Sequence, residues 1–315
     1  MKTFCTIVTA DYLPFAKVLY NSLQKNVPGT TLQVLVIDKN NFPSSDTFII
    51  HTIASIAHTS FFKEIEKKYA HTNDSHHFRW ALKPVFINYL LEHTFQQVIY
   101  VDPDIFFCGN FSFLFEKLEK SAVLLTPHWR DSDPLVNEEN FLAVFKDGLY
   151  NAGFIGASEK GIAAIKWWAG LCHYKMERNK DKGLFDDQRY LNAMPVEFSE
   201  VETIRHKGCN LSYWNINSCK REIVNGKLLI NGQYEPIFIH FTEDTIINIL
   251  NKNDHLLKPC LDEYEESLKE QGVDIENWWK DLSLKKYNTA FYKIKHKIRL
   301  RTRIKRFFFK LAEKI

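Results

Sequence analysis

Two carboxylates stand two residues apart in Tyr100-Val101-Asp102-Pro103-Asp104, directly behind the apolar run Val98, Ile99, Tyr100, Val101, which reads as a buried strand. Carboxylates spaced in this way, just past a strand, can reach one hard cation together. Mg²⁺ and Mn²⁺ take oxygen ligands, and Mg²⁺ is commonly held by one or two carboxylates together with substrate phosphates. The stretch therefore suggests an enzyme that holds a metal-bound nucleotide. Asp and Pro are also good turn residues after a strand, and the spacing alone does not choose between metal site and turn.

The surrounding elements decide whether such a dyad faces a ligand. Over the first 160 residues strand-like and helix-like runs alternate. Phe4–Thr9, Leu32–Ile37, Val98–Val101, Ala122–Thr126 and Tyr150–Ala157 read as strands, and Leu13–Leu23 and Phe78–Leu91 as helices. That alternation predicts an α/β fold with a largely parallel sheet and helices on both faces. Ligands of such sheets bind outside the carboxyl ends of the strands, where Asp11, Asp38, Asp102 and Asp104 all fall. Gly161–Asn179 reads as one long helix in which Trp167 and Trp168 are packing residues, residues 195–241 as short strands and loops, and Asp262–Leu282 as a polar helix.

Composition supports a globular chain. A length of 315 residues fits one large domain or two small ones, and 45% hydrophobic residues with 25 Phe supply a substantial core. Cys5, Cys108, Cys172, Cys209, Cys219 and Cys260 are scattered, with no Cys-x-x-Cys pair. With no signal peptide evident, they read as reduced thiols of a cytosolic protein. No apolar run approaches 18 residues, so no transmembrane helix is expected. The net charge of +3 conceals an asymmetry: residues 285–315 hold 12 Lys or Arg and one acid, leaving 29 basic and 37 acidic side chains elsewhere. A mildly acidic body with a strongly basic tail points to an anionic partner for the tail.

The dyad belongs to an ordered set: Thr9-Ala10-Asp11-Tyr12, then Asp102/Asp104, then Asn151-Ala152-Gly153-Phe154, then Asp186-Asp187-Gln188, then His240-Phe241. In that order the motifs resemble the GT-A class of nucleotide-sugar glycosyltransferases, and most of all the retaining enzymes of glycosyltransferase family eight. The resemblance covers about residues 3 to 245. It implies a Rossmann-like GT-A catalytic domain over 1–245, a helical segment over 246–284 and a basic amphipathic tail over 285–315.

The resemblance also implies roles for residues. Asp102 and Asp104 would hold Mn²⁺ or Mg²⁺ against the diphosphate of the donor, with His240 as a third ligand. Thr9, Ala10 and Asp11 would contact base and ribose, although Asp11 is also placed to N-cap the next helix. Arg79 and Lys83 lie four apart, on one face of their helix, where cations would meet diphosphate or sugar. Asn151 would bind the donor sugar, and Gly153 would let a ligand approach the backbone. Asp186 and Asp187 would read sugar hydroxyls, while Gln188 would sit by the anomeric carbon in a retaining reaction. In an inverting reaction Asp187 would instead be the general base. One departure stands out. The family usually follows its late histidine with Gly-x-Lys-Pro-Trp, whereas here His240 leads into Phe-Thr-Glu-Asp-Thr-Ile, leaving Lys83, Arg79 or Lys207 to take that lysine's place. Asn210, Tyr213 and Trp214 fall where the acceptor side would be, with Trp214 as readily structural.

The expected activity is transfer of a sugar, from a UDP-sugar by preference, to a saccharide or lipid-linked acceptor in surface polysaccharide synthesis. Over residues 293–314 apolar and basic side chains separate at helical periodicity, which suits a helix on an anionic membrane surface, at the inner face of the membrane, better than one bound to nucleic acid. A phosphohydrolase of the haloacid dehalogenase type also uses Asp-x-Asp but carries it on its first strand, and no Gly-x-x-x-x-Gly-Lys phosphate loop is present. A non-catalytic sugar-nucleotide-binding or membrane adaptor protein is the remaining alternative.

Overall fold

Seven strands build the central sheet: β1 (Lys2–Val8), β2 (Leu32–Val36), β3 (Ile49–Thr52), β4 (Gln97–Val101), β5 (Val123–Pro127), β6 (Tyr150–Ser158) and β7 (Val201–Thr203). Their order across the sheet is β7-β5-β6-β4-β1-β2-β3. The computed structural model describes residues 1–40, 47–72 and 75–278. Met1–Gln271 form one compact unit, and the second, Gly272–Ile315, is described only as far as Trp278. The basic tail at 285–315 and the end of the expected Asp262–Leu282 helix therefore lie outside the described residues; the helix there spans Lys258–Glu270.

The sheet is α/β and largely parallel, as the alternation predicts, with one exception. β6 runs antiparallel to both of its neighbours, β4 and β5. Reversal puts the first residues of β6, Tyr150 to Gly153, at the end of the sheet where β4 leads into Asp102. Val101 pairs with Phe154, and the Asp102 amide donates to the Gly153 carbonyl at 2.9 Å.

Alternate residues of the strands feed two cores, one on each face. One face carries Cys5, Ile7, Leu35, Val98, Tyr100, Val123 and Ile155 against the helices Ser75–His93 and Ile162–Tyr174. The other carries Phe4, Val8, Val34, Ile99, Val101 and Phe154 against the helix Leu13–Asn26 and the Phe107, Phe111, Phe115 cluster. Trp168 is wholly buried in the first core, and Trp167 packs on Phe198 with ring centroids 5.7 Å apart. Both tryptophans are packing residues.

The helix beginning near Gly161 is shorter than its sequence periodicity suggests. It ends at Tyr174, Lys175 is extended, and Arg178–Asn179 pairs with Leu184–Phe185. Backbone bonding explains the break. The Met176 amide donates to the Tyr69 hydroxyl at 3.1 Å, and the Glu177 carbonyl accepts from Asp186 at 3.2 Å, so neither completes a helical turn. All six cysteines are free thiols.

Phe4 holds the second face together. Its ring meets Phe107, Phe111 and Phe115 edge-on at 5.0 to 5.3 Å. Phe4→Ala is expected to lower the unfolding free energy by about 3–5 kcal/mol in urea denaturation; a loss below about 1 kcal/mol would show that the cluster collapses around the gap.

Candidate active site

A short antiparallel ribbon closes the site. Ile105–Phe107 pairs with Phe238–His240, with His240 opposite Ile105. The Phe241 amide donates to the Asp104 carbonyl at 2.9 Å. This pairing brings His240 to the dyad from far along the chain, and the candidate ligand atoms of Asp102, Asp104 and His240 lie within 4.8 Å of one another. His240 Nε2 is 3.1 Å from Asp104 Oδ1, and its buried Nδ1 has no hydrogen-bond partner among the described residues. Burial opposes charge on the ring, yet the Asp104 carboxylate outweighs it and raises the His240 pKa. Burial likewise works to raise Asp104, but His240 and, further off, Arg79 hold its carboxyl below the ordinary value. The cluster thus favours positive charge between its members.

Two carboxylates and an imidazole form a donor set suited to Mn²⁺ or Mg²⁺, and a metal-bound His must be neutral. Gly153 supplies the space. A Cβ there would lie 2.6 Å from His240 Cε1, 2.7 Å from Asn151 Oδ1 and 2.9 Å from Asp102 Oδ2. The glycine makes room for the candidate ligands themselves. Asn151 is fixed by its neighbour, its Oδ1 accepting from the Gly153 amide at 2.6 Å.

Lys83 joins the dyad to the downstream acids. Its buried ammonium lies 3.2 Å from Asp102 Oδ1 and 3.3 Å from Asp187 Oδ2, and donates to the Ala152 carbonyl at 3.0 Å. Burial would depress this amine, but Asp102 and Asp187 together raise its pKa. Asp102 Oδ1 also accepts from the Tyr100 hydroxyl at 2.7 Å. Burial pushes the Asp187 carboxyl up to about 6, against the pull of Lys83. Gln188 is held at both ends of its amide: Nε2 donates to the Asp147 carbonyl at 2.8 Å, and Oε1 accepts from the Ala152 amide at 3.2 Å. Asp186, in left-handed backbone with φ 44°, turns to Arg178 and to His77 at 3.2 Å.

These side chains line one cleft of about 390 Å³ at the carboxyl ends of the parallel strands, which gathers Lys83, Asp102, Asn151, Gly153, Asp186, Asp187, Gln188 and His240. Asp104 stands at its edge beside His240. Thr9, Ala10, Asp11 and Arg79 are not among the cleft's lining residues. Thr9, Ala10 and Asp11 follow β1, where the Ala10 amide donates to Asp38 Oδ1 at 2.9 Å, and the guanidinium of Arg79, on the helix Ser75–His93, lies 6.0 Å from the Tyr12 ring centre. Asp11 does not cap the following helix; Tyr12 holds that position, without a side-chain cap.

The far wall of the cleft carries Arg130, Asp147, Tyr213, Trp214, Glu243 and Asp244. Of these, sequence reasoning singled out only Tyr213 and Trp214. Arg130 and Asp147 pair at 3.0 Å across the helix Pro134–Asp147, a contact without a spacing motif. Trp214 stands edge-on to His240 with centroids 5.5 Å apart. Asn210 does not line the cleft; it is fully buried, and its Nδ2 donates to the Pro127 carbonyl at 3.0 Å. Lys207 donates to the Ser218 carbonyl at 3.0 Å and lies over the Trp129 ring. Of Lys83, Arg79 and Lys207, only Lys83 lines the cleft.

No protein-family model matches the chain. The uncharacterized protein YfnF of Bacillus subtilis (strain 168) is 25% identical over 250 residues, 78% of this chain and 82% of that protein. YfnD of the same strain is 24% identical over 253 residues, 78% of each chain. Among solved structures, mouse xyloside xylosyltransferase 1 in its apo form matches over 78% of this chain and 99% of its own, at 12% identity and a TM-score of 0.45. The galactosyltransferase LgtC, in complex with donor and acceptor sugar analogs, matches over 66% of this chain and 74% of its own, at 15% identity and a TM-score of 0.41. At this level of likeness function has to be read from the side chains.

Gly153→Ala tests the cluster. The added methyl has to displace His240 or Asp102, so Mn²⁺ affinity measured by calorimetry is expected to fall more than about ten-fold, with a stability loss of about 1–3 kcal/mol. Unchanged Mn²⁺ affinity would remove the cluster from consideration as a metal site.

Proposed function

We propose that this protein is a metal-dependent glycosyltransferase of the GT-A type, related in mechanism to family eight, which moves a sugar from a nucleotide-diphosphate sugar to a saccharide or lipid-linked acceptor. One observation carries the reading: Asp102, Asp104 and His240 converge at the carboxyl end of the sheet, and Lys83 ties Asp102 to Asp187 in the same cleft.

In this reading Asp102, Asp104 and His240 would hold Mn²⁺ or Mg²⁺, which would supply positive charge against the diphosphate of the donor. The remaining steps belong to the chain. Lys83 keeps Asp102 and Asp187 in register, so the metal side and the sugar side of the cleft keep a fixed separation. Asp187 and Asn151 accept and donate to sugar hydroxyls. The Gln188 amide is oriented by its two backbone bonds, and its Oε1 uses one of two lone pairs, leaving the other for positive charge developing at the anomeric carbon. Thr9, Ala10 and Asp11 serve the nucleoside, with a UDP-sugar favoured, and Arg79 the diphosphate or sugar. Tyr213 and Trp214, beside Arg130 and Asp147, face the acceptor. The protein is proposed to act at the inner face of the membrane in surface polysaccharide synthesis, with residues 285–315 as an anionic-surface anchor.

A second stereochemical course has its own support. A general base works best with a pKa near neutrality, and Asp187 at about 6 meets that condition. The anomeric configuration of the product, read by NMR, decides: retention is expected, and inversion would make Asp187 the base.

The activity is tested by incubating the protein with Mn²⁺ and a panel of UDP- and GDP-sugars and following nucleoside diphosphate release. At least one donor is expected to turn over, with kcat/KM falling at least about 100-fold in Asp104→Asn. No turnover and no calorimetric binding of any sugar nucleotide in the presence of metal would contradict the proposal.

A further inference from the structure

Three histidines surround one tyrosine at the C-terminal end of the helix Ser75–His93. The Tyr89 ring centre stands 4.8 Å from that of His93, 5.9 Å from His58 and 5.7 Å from His51. His51 is engaged away from the group, its Nε2 2.8 Å from Gln33 Oε1. His58 and His93 face each other, Nε2 to Nε2 at 3.3 Å, and both are exposed. His58 sits in the turn after the short helix Ile53–Ile56, and His93 is the last residue of its own helix. Lys83 lies on that helix about 15 Å back toward the cleft, and neither histidine lines the cleft.

The second nitrogen of His93 fixes its tautomer. Nδ1 lies 2.8 Å from the Tyr89 carbonyl, which can only accept, so in the neutral ring Nδ1 carries the proton and Nε2 a lone pair. A metal-binding histidine is held in the same way, by donating its other N–H to a backbone carbonyl or carboxylate. His58, being exposed, can keep its proton on Nδ1 in water and turn its own Nε2 lone pair to the same point. Two lone pairs so close need something between them: either a proton, which makes a His–His hydrogen bond, or a cation. The spacing fits the cation. Zn–N bonds of about 2.0–2.1 Å at a tetrahedral angle place two nitrogens about 3.3–3.4 Å apart.

We infer that His58 and His93 form a second metal site, which takes Zn²⁺ or a similar borderline divalent cation. Imidazole nitrogens suit such ions, whereas the oxygen-rich Asp102, Asp104 and His240 cluster suits Mn²⁺ or Mg²⁺. Water completes the coordination. Glu92, beside His93 in sequence, is already engaged, with Lys166 at 2.7 Å and Asn88 at 2.9 Å. The ion ties together two segments 35 residues apart, so it acts as a clip that closes a long loop. The site is independent of the transferase reading.

The test titrates Zn²⁺ into the full chain by calorimetry, with saturating Mn²⁺ present to keep the acid cluster out of competition. His58→Ala and His93→Ala are each expected to bind one Zn²⁺ per chain fewer than wild type. The double variant is expected to lose that same ion and no more, because one site needs both rings. Zn²⁺ is also expected to raise the thermal unfolding midpoint of wild type by about 3 °C or more, and that of either variant by less than about 1 °C. Circular dichroism checks the fold, and His58→Gln with His93→Gln repeats the count if an alanine variant loses its signal. Zinc counts unchanged in the variants, a loss in one variant alone, or losses that add in the double variant would mean an adventitious ion only, held by thiols or by separate surface imidazoles. Each of these overturns the inference, as does a wild-type midpoint that Zn²⁺ leaves unmoved.

Discussion

Mutual repulsion among carboxylates is the constraint on which the site depends. Asp102, Asp104, Asp186 and Asp187 gather at one end of the sheet, in or beside a single cleft. Unit charges about 4 Å apart at an effective dielectric near 20 interact by about 4 kcal/mol, so the arrangement persists only with cations interleaved. The chain provides them individually. Lys83 stands between Asp102 and Asp187, Arg178 and His77 take Asp186, and His240 takes Asp104. The partner of Asp104 is His240, whose charge, like that of His77, depends on a proton. That is the position where a divalent cation fits the donor set best.

The fold exists, from the site's point of view, to keep those charges together. A wholly parallel sheet would send the start of β6 to the far end of the molecule. Its reversal instead places Asn151, Ala152 and Gly153 beside Asp102, and gives Lys83 a backbone carbonyl to bind. The Ile105–Phe107 and Phe238–His240 pairing does the same for His240. Aromatic packing stiffens that ribbon from behind, with Phe154 stacked on Phe238 at 5.2 Å and Tyr264 stacked on Phe241 at 4.6 Å.

Much of this was legible in the sequence because it is local. Strand and helix periodicity located β1, β2, β4, β5 and β6, and apolar runs ending in Asp marked the functional end of the sheet. Strand direction was not legible: Tyr150–Ala157 reads the same whichever way it runs. The Gly161–Asn179 helix was read as too long because Met176 and Glu177 are recruited by Tyr69 and Asp186, partners outside the segment. Gly153 was assigned to ligand approach, whereas its missing Cβ accommodates His240 and Asp102. Arg130 and Asp147 were missed since only the folded chain brings them into one wall.

The most direct measurement is the coupling between metal and nucleotide. Mn²⁺ binding followed by loss of the free-ion EPR signal, with and without UDP, should give one ion per chain, bound at least about ten-fold more tightly when UDP is present, with UDP gaining the same factor from Mn²⁺. UDP affinity that is the same in EDTA as in saturating Mn²⁺ would contradict a shared metal-diphosphate site at Asp102, Asp104 and His240.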